Sequence, residues 1–143
     1  MQGQTIRRLV EKLNDTCARA LEQAAVFAAA RSDYEVRIEH VLIKLLESDL
    51  RNDLQLALAH SDISADQVFE SQMQALSRLR TSNPEKPVFS ARLVQWLEQA
   101  WLASSLYYQG DTIRSISLLD ALLELLPRLG DNAFASLEPM SLT

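Results

Sequence analysis

Two histidines, one cysteine and nineteen carboxylates are the side chains here with the usual chemistry for catalysis or metal binding. A zinc site needs several such groups converging on one point. His40 has only Glu39 beside it, and adjacent residues leave a helix in different directions. His60 has no second histidine, cysteine or paired acid at ligand spacing. A hydrogen bond near a helix start is the plain use of His40, which directly precedes the apolar Val41 and Leu42. Cys17 lies on an apolar stripe with no histidine near, so it reads as buried filler rather than a nucleophile. Asp62 and Asp66 fall where carboxylates start helices. With three glycines, Gly3, Gly110 and Gly130, neither a phosphate loop nor a dinucleotide fingerprint can be written, and no serine elbow is present. The expectation is a chain with no catalytic residue, no cofactor and no metal.

Whatever the chain does must then come from its surfaces. Its 143 residues are 48% hydrophobic and 23% charged, enough for one domain with a real core and no disulfides. A net charge of −5 argues against nucleic acid, whose binding rests on neutralising phosphates. Cys17 is the one cysteine of the sequence, so no intramolecular disulfide can form, which suits a reducing compartment. No apolar run reaches the roughly 18 to 20 residues of a membrane span. Met1-Gln2-Gly3-Gln4 leads into a charged segment and not a secretory signal. A soluble, cytoplasmic protein without membrane contact is expected.

The elements follow from apolar spacing and capping residues. Thr5 can cap a first helix bearing Ile6, Leu9, Val10 and Leu13, an i, i+3, i+4, i+7 stripe. Asn14 or Asp15 opens the next helix, or the two run together. That helix reaches about Arg31 with Cys17, Leu21, Ala24 and Ala28 on one side, and its many alanines let neighbours approach closely. After a turn at Ser32–Glu35, a ten-residue helix carries Ile38, Val41, Leu42, Leu45 and Leu46. Leu50, Leu54 and Leu58 mark another helix. Ser64 with Gln67 has capping-box form and opens a helix to about Arg80 with Phe69, Met73 and Leu76 inward. Thr81–Pro87 is a proline-bearing linker. Ser90 caps a long helix with Leu93, Trp96, Leu97, Ala100 and Trp101 inward. Ser115 or Ser117 starts an apolar helix stopped by Pro127, and a short helix near Ala133–Leu137 precedes a frayed end.

The halves are related. Leu97-Glu98-Gln99-Ala100 repeats Leu21-Glu22-Gln23-Ala24, and Leu118–Glu124 follows it as Val41–Glu47 follows the first copy. Both matches lie roughly 76 to 77 residues apart, so order and distance are kept. The fold class is therefore all-α: two pseudo-symmetric four-helix-type repeats packed as one domain over residues 1–143. Repeat one covers about 14–80, the linker about 81–89 and repeat two about 90–143, shortened at its C-terminus.

The first apolar stripe has two readings: it packs on the core, or it walls a groove. Val88 and Phe89, an aliphatic-aromatic pair directly after the proline linker, favour the groove, because polar residues are the default there. Such a channel takes an amphipathic guest helix with anchors at i, i+3, i+4 and i+7.

Leu13-Asn14 ahead of Ala20–Ala24, in a chain with two helical repeats of this size, resembles the double Clp N-terminal motif of the Clp family of AAA+ unfoldases. Arg37–Glu47 is similar to the family's R-x-E-H-(hydrophobic)₃-x-L-L-E signature. Leu9–Asn14 and Asn83–Ser90 resemble ClpV, the type VI secretion ATPase. The resemblance covers most of Ile6–Leu126. It departs where Ile116-Ser117 replaces the Glu-His pair, and again after Pro127. It implies a substrate-recruiting module of a hexameric ATPase, itself monomeric when isolated. The implied partner is the N-terminal helix of a TssC/VipB-like sheath subunit, recruited so that the ring can dismantle the sheath. The implied groove has Ile6, Leu9, Val10, Leu13 and Asn14 on one side and Val88, Phe89, Ser90 and Leu93 on the other, with Ile113 and Ile116 at its floor. Two alternatives are a ClpB-like disaggregase domain for unfolded chains and a helical adaptor without a motor.

Overall fold

Short polar side chains set three of the helix starts, two of them in matching places in the two halves. The Asn14 side-chain oxygen accepts from the Cys17 N–H at 2.9 Å, and the Ser90 hydroxyl accepts from Leu93 N–H at 3.0 Å. Ser64 accepts from Gln67 N–H at 3.2 Å. Each satisfies a donor that a helix N-terminus would otherwise leave open, typically worth about 1 kcal/mol.

The computed structural model describes residues 2–47, 53–107, 112–129, 134 and 137. Within them the elements are α1 (Gln2–Lys12), α2 (Asp15–Ala30), β1 (Glu35–Val36), α3 (Ile38–Glu47), α4 (Asp53–His60), α5 (Ala65–Ser77), β2 (Val88–Phe89), α6 (Ala91–Tyr107) and α7 (Ser115–Leu129). The architecture is all-α, two related helical units around one core. β1 and β2 form a parallel two-residue pair.

α2 packs on α3, α3 on α5, and α6 on α7, while α4 against α7 and α1 against α6 join the halves. Ala20, Ala24 and Ala28 are buried along α2, as their small volume requires for close approach to α3. In α6 the buried line carries a large residue as well as the small Ala100 and Ala103. Trp96 is fully buried and its indole N–H donates to the Leu118 carbonyl at 2.7 Å, so its one polar atom is satisfied. Phe134 and Leu137 are also buried.

Two helices, α2 and α4, close on a left-handed residue that is not glycine. Ser32 N–H bonds Ala29 O and Asp33 N–H bonds Ala28 O, a Schellman closure with Ser32 at φ 62°. Asp62, at φ 56°, closes α4 likewise through bonds from Asp62 to Ala59 and from Ile63 to Leu58. A non-glycine residue there costs about 1 to 2 kcal/mol, which the surrounding bonds must outweigh.

Several sequence expectations change. Thr5 lies inside α1, not at its start. On α5 the buried residues are Val68, Gln72, Ala75 and Leu76, so Phe69 and Met73 stand one step round from the inner face and are half-buried. Pro127 does not stop α7, which runs on to Leu129. A proline so close to the end forfeits one backbone bond rather than a continuing ladder. The linker is tethered: Asn83 N–H donates to Ser32 O at 3.0 Å, its side-chain amide to Asp33 O at 2.9 Å, and the Tyr34 and Ser82 hydroxyls are 3.0 Å apart. Leu50, the short helix near Ala133–Leu137 and the frayed end lie on, or mostly on, positions outside the described residues.

Candidate functional site

The segments leading into α2 and α6 each cross a loop of the opposite half. At the first crossing Val88 N–H donates to Tyr34 O at 3.1 Å and Ser90 N–H to Val36 O at 3.0 Å, with Val88 paired to Glu35 and Phe89 to Val36. At the second, Ile113 N–H donates to Lys12 O at 2.6 Å and Asn14 N–H to Ile113 O at 2.9 Å, with Leu13 bridged to Ile113. Asn14 and Ser90 hold equivalent places: the backbone N–H of each closes a crossing while its side chain caps a helix. Each half completes the other.

The candidate groove residues divide between these crossings. Leu13, Asn14 and Ile113 meet at the second; Val88, Phe89 and Ser90 lie at the first. α1 packs on α6, and its stripe splits along its length. Leu9 and Leu13 turn into the core, at 6% and 9% exposure, while Ile6 and Val10 are only partly covered. Leu93 and Ile113 present no surface at all, so they support a floor without touching a guest. Ser90 is buried. Phe89 and Ile116 are partly buried against the core, and Val88 is 64% exposed. The accessible apolar set is therefore Ile6, Val10, Val88, Phe89 and Ile116. Trp101 joins it. Placed inward on sequence, it is half-buried on the core, with Lys12 Nζ 5.1 Å from its ring centroid. Its step of five residues from Trp96, which puts it off the buried line of α6, was the available signal.

A cleft of about 300 Å³ adjoins the first crossing, lined by Glu35, Arg37, Ile38, Glu39, Ser90 and Phe134 among others. Arg37 Nε reaches Glu39 Oε2 at 3.1 Å in its wall, so its lining is mixed, with charged groups beside Ile38 and Phe134.

Behind the first crossing lies a buried polar chain. Arg37 N–H donates to His40 Nδ1 at 2.9 Å, which leaves the proton on Nε2 to donate to Asp33 Oδ2 at 2.7 Å. Arg31 Nε donates to the same oxygen at 3.0 Å, and its NH2 group to Leu76 O at 2.7 Å. Burial lowers the His40 pKa below its ordinary 6.5, against the upward pull of Asp33. The expected hydrogen bond of His40 near a helix start is present, and Cys17 is buried as expected. The second crossing is backed by hydroxyls. Ser117 Oγ accepts from Arg114 N–H at 3.3 Å, as His40 does from Arg37, and the Ser104 hydroxyl donates to Thr112 O. Among the described residues no group of three or more His, Cys, Asp or Glu could hold a metal, and no helix is long and apolar enough to cross a membrane.

No protein-family model and no curated protein matches the chain. Solved structures do. The N-domain of ClpV from Vibrio cholerae is 34% identical, with a TM-score of 0.82 over 92% of this chain and 78% of that one. The N-terminal domain of the ClpV1 ATPase of the E. coli EAEC Sci1 type VI secretion system is 33% identical, with a TM-score of 0.76 over 93% and 87%. A ClpV N-domain solved in complex with a VipB peptide is 32% identical, with a TM-score of 0.78 over 95% and 85%. With a third of its residues shared across more than nine-tenths of its length, the chain belongs to the family of ClpV N-terminal domains.

Proposed function

We propose that this domain recruits a sheath subunit of a type VI secretion system by docking an amphipathic helix of that subunit, TssC/VipB-like, in an apolar groove. The split of the α1 stripe carries the reading: Leu9 and Leu13 anchor the helix while Ile6 and Val10 are left for a guest. Val88 and Phe89 form the opposite wall, with Asn14, Trp101 and Ile116 between and the buried Leu93, Ser90 and Ile113 beneath. The ClpV N-domain solved with a VipB peptide supports this, since a relative of the same fold takes a peptide from the named partner.

A guest helix of three turns would bury about 400 to 600 Å² on each side, which after ordering costs supports micromolar binding. Weak docking suits a hexameric parent acting on a polymer, because avidity comes from six copies and each grip must release. On this reading the chain is a monomeric, non-catalytic module of a cytoplasmic ATPase, with repeats at about 14–80 and 90–143 joined by 81–89.

Leu13 is too well buried to test the groove, since an aspartate there would disrupt the core. Val10→Asp and Val88→Asp probe one wall each. Titrated with a labelled N-terminal peptide of a sheath subunit, each variant binds at least about tenfold more weakly, a difference of about 1.4 kcal/mol, and melts close to the parent domain. Normal binding by both variants refutes the groove. Equal affinity for a generic unfolded protein turns the reading to a disaggregase domain.

A further inference from the structure

The two crossings share a backbone pattern, yet their supports differ in kind, and the difference lies under a proposed groove wall. Asp33 occupies the second position past the C-cap of α2, where the Schellman turn at Ser32 directs its side chain inward to 1% exposure. Its Oδ2 gathers the His40 and Arg31 bonds, while Oδ1 has no hydrogen-bond partner among the described residues. The carboxylate is thus held from one edge by two donors on different elements. The backbone of the same short loop faces the other way. Ser32 O and Asp33 O receive Asn83, Tyr34 O receives Val88, and Val36 O receives Ser90. The loop is a strut: side chains fixed in the core, carbonyls gripping the connector and Val88–Ser90.

Resting on the groove reading, we propose that His40 and Asp33 are positioning residues for peptide docking, setting the height and register of the Val88–Ser90 wall from behind without touching the guest. Three observations carry it. The chain from Arg37 N–H through the imidazole to Asp33 is continuous and shielded from water, so its geometry is not shared with solvent. Arg31 extends it to the Leu76 carbonyl at the end of α5, so loop, α3 and α5 are fixed together. The other half keeps the crossing with Ser117 in the place of His40, which reproduces the bond to the backbone and has no reach to a carboxylate; the counterpart of Asp33, 76 to 77 residues on, falls at Gln109 or Gly110. A crossing can therefore form without an imidazole behind it. What the chain adds is attachment of the loop to the core.

The test copies that natural difference. His40→Ser keeps an acceptor for Arg37 N–H and drops the Asp33 bond; Asp33→Asn removes the charge at nearly constant shape. Amide exchange is read at Val88 and Ser90, whose N–H groups close the first crossing, and at Asn14 and Ile113, which close the second. Either variant is expected to speed exchange at Val88 and Ser90 by about tenfold relative to Asn14 and Ile113, and to weaken the sheath peptide about threefold. Should His40→Ser fail to fold, Asp33→Asn decides by the same ratio. Unchanged exchange at Val88 and Ser90, or equal acceleration at all four amides, overturns the proposal, since a purely stabilising role loosens every site alike. If the groove reading itself is wrong, Val10→Asp and Val88→Asp bind normally while the exchange ratio still shifts, so the two failures are told apart.

Discussion

The crossing of Val88–Ser90 with Tyr34–Val36 and that of Lys12–Asn14 with Ile113 are both parallel backbone pairings, and the described side chains behind them differ in chemistry. Among the described residues, one is backed by an arginine, a carboxylate and an imidazole, and behind the other two serine hydroxyls bond to backbone. Backbone pairing sets the architecture and tolerates either support. Ionic support couples the loop to several elements at once, whereas a hydroxyl satisfies one local group. A buried network is costly to break at a single point, because the remaining partners are then stranded away from water.

The largest test of that difference is substitution at equivalent places. His40→Ala removes one of the two donors to the buried Asp33 carboxylate and opens a cavity, a loss of about 3 kcal/mol or more, read by denaturant unfolding. Ser117→Ala removes one bond to backbone and costs about 1 kcal/mol. Similar losses at both positions would mean the two supports are energetically alike. The caps sharpen the comparison from the other side. Asn14→Ala and Ser90→Ala each cost about 1 kcal/mol, because the two residues do the same work at the two crossings.

The smallest effect is the pH dependence, and it belongs to the first crossing alone. His40 faces Asp33, Glu39 and Arg31, and burial holds its folded pKa below 6.5. The folded state therefore favours the neutral ring. Its contribution is complete above about pH 6.5 and is lost as the pH falls through the lowered folded value. A protonated Nδ1 would oppose the Arg37 N–H, donor against donor. On acidification the Val88 and Ser90 amides should lose protection before those of Asn14 and Ile113; simultaneous loss would assign the acid response elsewhere.

What the sequence disclosed was governed by range. Asn14, Ser64 and Ser90 were readable as caps because a cap bonds three residues ahead, within its own segment. The α2 and α6 faces were readable from spacing, and the 76-to-77-residue duplication gave the paired units. The two crossings were invisible, since a strand of two residues has no periodicity to detect and joins positions more than fifty apart. The His40–Asp33 bond was hidden by a left-handed serine, which no propensity favours. In the groove, the sequence marked the apolar stripe but not which edge faces in. That depended on α6, whose packing buries Leu9 and Leu13 and leaves Ile6 and Val10.

Reciprocal closure also bears on how the chain is made. A ribosome delivers residues in order, so the carbonyls of Tyr34 and Val36 emerge well before Val88 and Ser90 exist to meet them. Leu13 and Asn14 wait longer still, for Ile113. The nascent first half can coil its helices but cannot latch, and its apolar faces stay uncovered until the second half arrives. Completion is thus a late, whole-chain event, and the interval before it is when a trailing chaperone would find the most to hold.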